Sequence, residues 1–252
     1  MRIVKKTGRS SFSDPSIDKN LKSKDIKLSK IYNNLNNLNK TVLTCSRQSL
    51  SRIIHYNNIY KKILNKPGVI MEFGVEYGST LSLLIKLRGM YEPYNYSRKI
   101  IGFDTFSGFG NDLTQYEKKL GWKKNDYSTY KNYEKFLDEL LLLEEKNSVL
   151  SHIKKFELIK GNASTTVKKY LKKNQQTLIS MAIFDMDLYK PTKKVLMEIK
   201  KRLFKGSILV FDEVNHPDFM GETTALLETM NLGKLKLRSS LGETFASYVI
   251  LD

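Results

Sequence analysis

Val69-Ile70-Met71-Glu72-Phe73-Gly74-Val75-Glu76-Tyr77-Gly78-Ser79 is the stretch that decides how the chain is read. Val69 to Phe73 is a short apolar run of strand length, and Ser79 to Arg88 follows at helical spacing. A strand that passes through a glycine-bearing turn into a helix is the first half of a βαβ unit. Gly74 lets the backbone turn tightly under a ligand, and Gly78 lets the helix begin close to it with its amide donors exposed. The spacing is Gly-x-x-x-Gly rather than Gly-x-Gly-x-x-Gly, so the loop lacks one phosphate-approach glycine of a dinucleotide fingerprint. Taken alone, it reads more readily as a tight turn than as a ligand site.

Outward from this stretch, short apolar runs alternate with helical ones. Lys99 to Phe103, Phe156 to Ile159, Leu178 to Phe184 and Ser207 to Phe211 continue the strand series. Helical stretches around Asn132 to Glu145, Ser164 to Lys172 and Thr192 to Leu203 separate them. Repeated strand–helix–strand units of this length predict a parallel, doubly wound α/β sheet. After a helix near Glu222 to Met230, Lys234 to Arg238 and Phe245 to Leu251 are separated by a short turn at Leu241-Gly242, which suits antiparallel pairing. Upstream, Leu28, Ile31, Tyr32, Leu35 and Leu38 recur at helical spacing. Leu50, Ile53, Ile54, Asn57, Ile59, Tyr60 and Ile63 predict a second helix that ends before Pro67-Gly68 and covers part of the sheet. Residues 1 to about 15 read as a mobile arm. With no internal repeat, the parse is one domain over 67–252, an insertion at about 105–130, and a basic helical extension over 1–66.

The chain has 252 residues, 40% of them apolar, with 12 Phe and 14 Tyr, enough to bury a core and to argue against disorder. One Cys excludes a disulfide framework and a thiolate zinc site. No run approaches the roughly 18–20 apolar residues that span a bilayer. The opening Met1-Arg-Ile-Val-Lys-Lys6 has no apolar core behind its charges, so no secretory signal is expected and the cytoplasm is the expected location. The net charge is +17, of which +12 falls in residues 1–66 and +5 in 67–252. This is either a patch for an anionic partner, such as nucleic acid or a phosphate-bearing substrate, or a solvated helical surface. The absence of helix-turn-helix, zinc-finger or aromatic RNA-binding strand signatures favours the surface and speaks against nucleic acid.

In an open parallel sheet, ligands bind beyond the carboxyl ends of the strands, and here those ends are polar. Asp104 closes the second strand thirty positions after Gly74, where a carboxylate can accept both ribose hydroxyls. Asn162, after the third strand, either reads an adenine edge or caps the next helix. Asp185 and Asp187 close one strand, and Asp212 and Glu213 close the next. Strands consecutive in sequence are expected to be neighbours, bringing these four together. Carboxylates gathered without basic partners repel, and oxygen-only ligands suit Mg²⁺, Mn²⁺ or Ca²⁺. The alternative is that some cap helices or pair with Lys190, Lys193 or Lys194.

Glu72-Phe-Gly-Val-Glu-Tyr-Gly-Ser79, Ile101-Gly-Phe-Asp-Thr-Phe-Ser-Gly-Phe109, Phe184-Asp-Met-Asp-Leu-Tyr-Lys-Pro-Thr192 and Phe211-Asp-Glu213 with Gly221-Glu-Thr223 together resemble the macrocin O-methyltransferase family, over about Ser46 to Leu251. The resemblance implies a Rossmann-like class I methyltransferase. Its fold would be a mostly parallel seven-stranded sheet with an antiparallel final strand, behind an N-terminal helical extension. It implies S-adenosylmethionine and a divalent cation, Mg²⁺ foremost, acting on a sugar hydroxyl. The methionine part of the cofactor would lie against Glu72, Phe73, Gly74, Gly78 and Ser79, and the ribose at Asp104 with Thr105 and Phe106 alongside. Asn162 would be near the adenine, and Asp185 would border the cofactor. Asp185, Asp212 and Glu213 would hold the metal, and Asn215 to Phe219 would form a substrate-side loop. The candidates for general base are Asp187, on the same rim, and His216, because histidine titrates near neutrality. His55 and His152 fall in or beside helices and are weaker candidates.

Phe106, Phe109, Tyr116, Trp122, Tyr127 and Tyr130 in the insertion either stack on a sugar or form a packing cluster. Lys118, Lys119, Lys123 and Lys124 would help to hold an anionic acceptor such as a nucleotide sugar or phosphate-bearing glycan, if they are not simply solvated. The expected function is therefore sugar or glycan O-methylation in surface-glycan or natural-product assembly. RNA methylation and a non-catalytic binding subunit are the rivals, and by analogy the N-terminal helices are a place for homo-oligomer contacts.

Overall fold

In the computed structural model of the chain, residues 33–34, 36–239 and 246–252 are described, apart from the side chain at position 38. The arm over 1–15, the helical positions Leu28, Ile31, Tyr32 and Leu35, the turn at Leu241-Gly242, and Phe245 lie outside the described residues. The described chain begins with helices α1 (Asn37–Thr44) and α2 (Arg47–Tyr60), followed by strand β1 (Val69–Phe73) and helix α3 (Ser79–Tyr91). Strand β2 (Ile100–Asp104), the short helix α4 (Gln115–Lys119) and helix α5 (Tyr133–Lys146) come next. Then follow β3 (Phe156–Lys160), α6 (Ala163–Lys173), β4 (Ile179–Phe184), α7 (Tyr189–Ile199), β5 (Ile208–Phe211), α8 (Met220–Thr229), β6 (Leu237–Ser239) and β7 (Ser247–Ile250).

The seven strands form one sheet in the order β3-β2-β1-β4-β5-β7-β6. All pairs from β3 to β5 are parallel, and β7 runs antiparallel to both β5 and β6. Strands β1, β4 and β5 are buried along their whole length, as parallel strands covered on both faces must be. Side chains of α2, α3 and α5 pack one face through Tyr56, Ile59, Leu81, Leu84, Leu137 and Leu141. Those of α6, α7 and α8 pack the other through Val167, Leu171, Val195, Leu196, Ala225 and Leu226. The strand expected over Lys234 to Arg238 is shorter than its apolar pattern: a 3-10 turn occupies Leu232–Lys234, and pairing starts only at Leu237. None of the helices among the described residues is long and apolar enough to cross a membrane.

The second half of the apolar stripe expected on α2, Ile59, Tyr60 and Ile63, is buried, but its first half is not. Leu50, Ile53 and Ile54 are 51%, 40% and 48% exposed, while His55, Tyr56, Ile59 and Tyr60 are buried. The inward stripe runs from the half-buried Arg52 through the buried Tyr56 and Ile59 to Ile63 in the 3-10 turn that follows, at i, i+4, i+7 and i+11.

Four phenylalanines lie side by side across the middle of the sheet. Phe103, Phe73, Phe184 and Phe211 are in register on β2, β1, β4 and β5, with ring centroids 5.0, 5.4 and 4.9 Å apart. Each is within one residue of its strand's carboxyl end, so the next residues, Asp104, Gly74, Asp185 and Asp212, form the rim above this aromatic layer. The order reverses between β1 and β4, which makes this rim the switch point where such folds bind ligands.

The opposite end of the sheet is tied by Arg98, which is 1% exposed. Its guanidinium donates to the carbonyls of Ile63, Lys66 and Gly68 at 2.9, 2.7 and 2.7 Å, to Ser180 Oγ at 2.8 Å, and to both oxygens of Glu92. One side chain thus joins the end of α2, the approach to β1 and the start of β4. Removing a buried ion-pair partner strands the other charge. Arg98→Met is therefore expected to lower the unfolding free energy by about 3–5 kcal/mol, read from urea denaturation.

Candidate active site

The carboxyl ends of β2, β1, β4 and β5 open into a cavity of about 330 Å³. Gly74 turns the chain beneath it with φ +95°, and a Cβ there would lie 1.9 Å from the Asp185 carbonyl oxygen, so no other residue fits. Asp104 braces the turn: Oδ2 accepts from the amides of Val75 at 2.7 Å and Glu76 at 2.9 Å, and Oδ1 accepts from Phe106 N at 2.5 Å. One lone pair on Oδ1 is left for a ligand by these bonds. Ser79 and Thr80, at the start of α3, face the same space.

Glu72 is 1% exposed and still lines the cavity, and its Oε2 has no hydrogen-bond partner. Burial, reinforced by the nearby charge of Asp185, pushes its carboxyl well above the usual range. Asn162 caps α6, its Oδ1 accepting from Ser164 N at 3.0 Å, while its Nδ2 donates to Asp112 Oδ2 at 2.6 Å. It borders the cavity as well. Of the other positions with an expected cofactor role, Gly74, Ser79, Asp104, Thr105 and Asp185 line the cavity. Phe73 belongs to the phenylalanine row, and Phe106, at φ +54°, packs into the core. At Gly78 a Cβ would meet Leu137 at 2.6 Å, so this glycine serves the packing of α3 against α5.

Asp185, Asp187, Asp212 and Glu213 do converge on this cavity. The expectation that they lack a basic partner is corrected by Arg52 of α2. Its Nη1 donates to Asp212 Oδ1 at 2.9 Å, and its Nη2 to Asp185 Oδ2 at 3.1 Å and Thr80 Oγ1 at 2.9 Å. Burial opposes the guanidinium's charge, but Tyr56, Asp212 and Asp185 hold it above its ordinary value. Tyr56 also lies under it, 5.3 Å from ring centroid to guanidinium carbon. Among the described residues, no three His, Cys, Asp or Glu side chains are grouped to hold a metal ion. As arranged, the expected set Asp185, Asp212 and Glu213 is not disposed around a common metal position, and a guanidinium takes one oxygen of each of the first two.

Glu222, fully buried at the start of α8, accepts from Met186 N and Glu213 N, both at 3.2 Å, and so joins the loops after β4 and β5. Its only signal in the sequence is its place in the Gly221-Glu-Thr223 block. Arg52 had none beyond its i+3 and i+4 neighbours His55 and Tyr56, a polar stripe beside the more conspicuous leucines and isoleucines. Asp187 lines the cavity with φ +61°. His216 does not line it: its Nδ1 accepts from Asp218 N at 3.1 Å and its ring packs edge-on against Phe219. His55 is buried under Arg52, and burial together with that positive charge lowers its pKa to about 4, leaving it neutral. His152 is an exposed turn residue outside the cavity.

The insertion packs as a cluster. Phe109 stacks on Trp122 at 5.0 Å, Tyr127 leans on both, and Trp122 meets Phe219 edge-on at 4.7 Å. Helix α4 opens with a capping box between Thr114 and Glu117, and Glu117 Oε1 also accepts from Tyr189 N at 2.9 Å, pinning the insertion to the start of α7. Tyr116 and Tyr130 are exposed, as are Lys118, Lys119, Lys123 and Lys124, none of which lines the cavity.

No protein-family model and no curated protein sequence matches the chain. Among solved structures, the calicheamicin methyltransferase CalS11 superposes with a TM-score of 0.85 at 34% identity, covering 94% of this chain and 93% of CalS11. The chain belongs to the macrocin O-methyltransferase family. An apo structure of CalS11, there described as a TDP-rhamnose 3'-O-methyltransferase, matches with a TM-score of 0.78 at 33% identity, over 94% of this chain and 95% of that one. The O-methyltransferase NovP, at 16% identity and a TM-score of 0.59 over 80% and 79% of the two chains, shares the fold. This family member is an S-adenosylmethionine-dependent O-methyltransferase. Its cavity suits that cofactor: eight carboxylates and one arginine line it, and S-adenosylmethionine carries a sulfonium and an ammonium.

Two outcomes follow for the site. A carboxyl whose folded pKa is raised costs stability as pH climbs above about 4.5, where the unfolded chain ionises. Glu72→Gln is therefore expected to raise the melting temperature of the cofactor-free enzyme at pH 7–8 and to weaken S-adenosylmethionine binding at least tenfold by calorimetry. Because Arg52 competes with a divalent ion for Asp185 and Asp212, Mn²⁺ is expected to bind Arg52→Gln at least tenfold more tightly than wild type. Equal affinity in a paramagnetic titration would contradict that competition.

Proposed function

We propose that this enzyme transfers the methyl group of S-adenosylmethionine to a hydroxyl of a sugar. The observation that carries the reading is Glu72: a buried carboxyl with an unpartnered oxygen, lining an acidic cavity at the sheet's switch point. The likeness to CalS11, a TDP-rhamnose 3'-O-methyltransferase, supports the sugar.

In this reading Glu72 receives the cofactor's ammonium, and Gly74 and Ser79 border its methionine part. Asp104 offers its remaining lone pair to the ribose with Thr105 beside it, and Asn162 borders the adenine. When bound, the cofactor supplies an electrophilic methyl group on a sulfonium. The obstacle is then the acceptor, since a sugar hydroxyl is a poor nucleophile at neutral pH. Asp187 is assigned to take its proton: it faces the cavity from the rim, in a left-handed backbone conformation that keeps it there. Tyr127, whose hydroxyl is buried without a hydrogen-bond partner, also faces the cavity and is a ready donor for an acceptor oxygen. Burial and the charge of Asp187 raise its pKa, so it remains a donor at every physiological pH. Arg52 offsets one of the two negative charges of Asp185 and Asp212 and ties both side chains together, and Glu222 joins the backbones of Met186 and Glu213. Holding the hydroxyl in line with the methyl carbon supplies much of the acceleration. No step is assigned to a divalent cation, given Arg52's position.

Asp187→Asn is expected to lower kcat by about 10²–10⁴-fold while the Kd for S-adenosylmethionine changes less than threefold. Turnover with a sugar acceptor is followed by release of S-adenosylhomocysteine. Undetectable binding of S-adenosylmethionine by the wild-type protein would overturn the assignment.

A further inference from the structure

We propose that the outer face of α6 and α7 is a docking surface for an anionic lipid bilayer, on which the enzyme sits as a peripheral protein with its cavity directed away. Helix α6 contains four lysines and no Asp or Glu, and residues 189–206 hold seven Lys and Arg against one acidic residue, Glu198. Lys168, Lys169, Lys172, Lys173, Lys200 and Lys201 are all exposed. The ion pairs of α7 are made by Lys193 with Glu228 and Lys194 with Asp112, at 2.6 and 3.9 Å, and among the described residues the six exposed lysines have none. Arg202 gathers them: its Nη1 donates to the Gln175 carbonyl and its Nη2 to the Leu171 carbonyl at 3.5 Å, which ties the turn after α7 to the end of α6. The helix dipole accounts for Lys172 and Lys173, which stand in the last turn of α6, but not for Lys168 and Lys169. Each of those two also has a like charge four residues on, an arrangement that weakens a helix standing in water and that a bound polyanion relieves. Residues 1–32 carry nine Lys and Arg against three Asp, so they add to the positive field.

The make-up of this face favours lipid over nucleic acid. Its exposed charges are lysines, compact cations on flexible stems that follow mobile headgroups, whereas the planar fork of arginine suits phosphates fixed in a nucleic acid. The arginine present, Arg202, is spent on backbone carbonyls. Among the described residues neither helix exposes an aromatic side chain on which a base could stack. What the face exposes instead is aliphatic. Met197, 62% exposed, lies between Lys194 and Lys201, and Leu178, 43% exposed, follows the end of α6. Lysines around an apolar side chain suit a surface that rests in the headgroup layer, the charges drawn to anionic lipid and the apolar group reaching the acyl boundary. The acidic cavity sets the orientation. Helix α6 starts beside Asn162, on the cavity, and its 11 residues run about 16 Å away from it. An anionic surface attracts one end of these helices and repels the other, which leaves the cavity open to solvent.

The full-length enzyme is sedimented with phosphatidylcholine vesicles, with and without about one third phosphatidylglycerol. Binding is expected to be at least tenfold tighter with phosphatidylglycerol, and to fall at least tenfold as NaCl rises from about 0.1 M to about 0.5 M. A variant carrying Lys168→Glu, Lys169→Glu, Lys172→Glu and Lys173→Glu together is expected to lose at least tenfold in vesicle affinity, and Met197→Ser at least twofold. Both are expected to keep the wild-type affinity for S-adenosylhomocysteine, which reads the integrity of the fold independently. Equal affinity for the two vesicle types would overturn the proposal. So would binding that survives the four α6 substitutions and is lost only when the nine Lys and Arg of residues 1–32 are changed to Gln, because the attraction would then belong to the N-terminal segment. An RNA bound more tightly than the phosphatidylglycerol vesicles, and released by the same α6 substitutions, would overturn it in favour of nucleic acid.

Discussion

The guanidinium of Arg52 between Asp212 and Asp185 is the interaction on which the rim of this sheet depends. Parallel neighbours β4 and β5 end in register at Phe184 and Phe211, and each is followed directly by an aspartate. Two carboxylates at adjacent strand ends repel across a partly desolvated gap unless a cation lies between them. Here the cation comes from a helix that precedes the sheet in sequence. The same helix buries Tyr56, Ile59 and Tyr60 in the core, so the packing that seats α2 also delivers Arg52 to the rim. The N-terminal extension is thereby part of the site, and its basicity has at least one specific use.

Beneath the rim, the row of four phenylalanines converts strand register into site geometry. Offset-stacked rings favour a narrow range of spacings, and interiors this densely packed do not slide. Because each phenylalanine stands next to the turn that leaves its strand, a shift of one strand by a single residue would displace Asp104, Gly74, Asp185 or Asp212 from the common layer. Asp104 adds a cross-link within that layer, drawing the amides of Val75 and Glu76 on one loop and Phe106 on another to a single carboxylate. Gly74 and Gly221 then allow backbone to approach backbone where any side chain would collide.

The parallel core was legible because buried strands write themselves as unbroken apolar runs and the intervening helices as 3.6-residue periodicity. The strand-end carboxylates were legible for the same reason, since a polar residue that stops such a run has a fixed place in the topology. Arg52 was not, because Leu50, Ile53 and Ile54 form the more obvious apolar stripe on α2 and lie on its exposed side. Glu222 was equally opaque: a glutamate in the first turn of a helix usually favours the helix dipole from the surface, and only tertiary structure shows it buried between two loops. For the aromatic insertion, sequence offered stacking on a sugar and packing on itself as alternatives. The structure brings Phe109, Trp122 and Tyr127 together as a cluster, and that cluster walls the site.

The excess of carboxylates around the cavity has a consequence for turnover. Methyl transfer discharges the sulfonium, so the donor enters with one more positive charge than the spent cofactor carries away. A site rich in fixed negative charge distinguishes the two by electrostatics alone, without any contact to the methyl group itself. Occupancy by donor is favoured and residence of the by-product is shortened. The lining that receives the cofactor thus also limits how far accumulating product can occupy the enzyme.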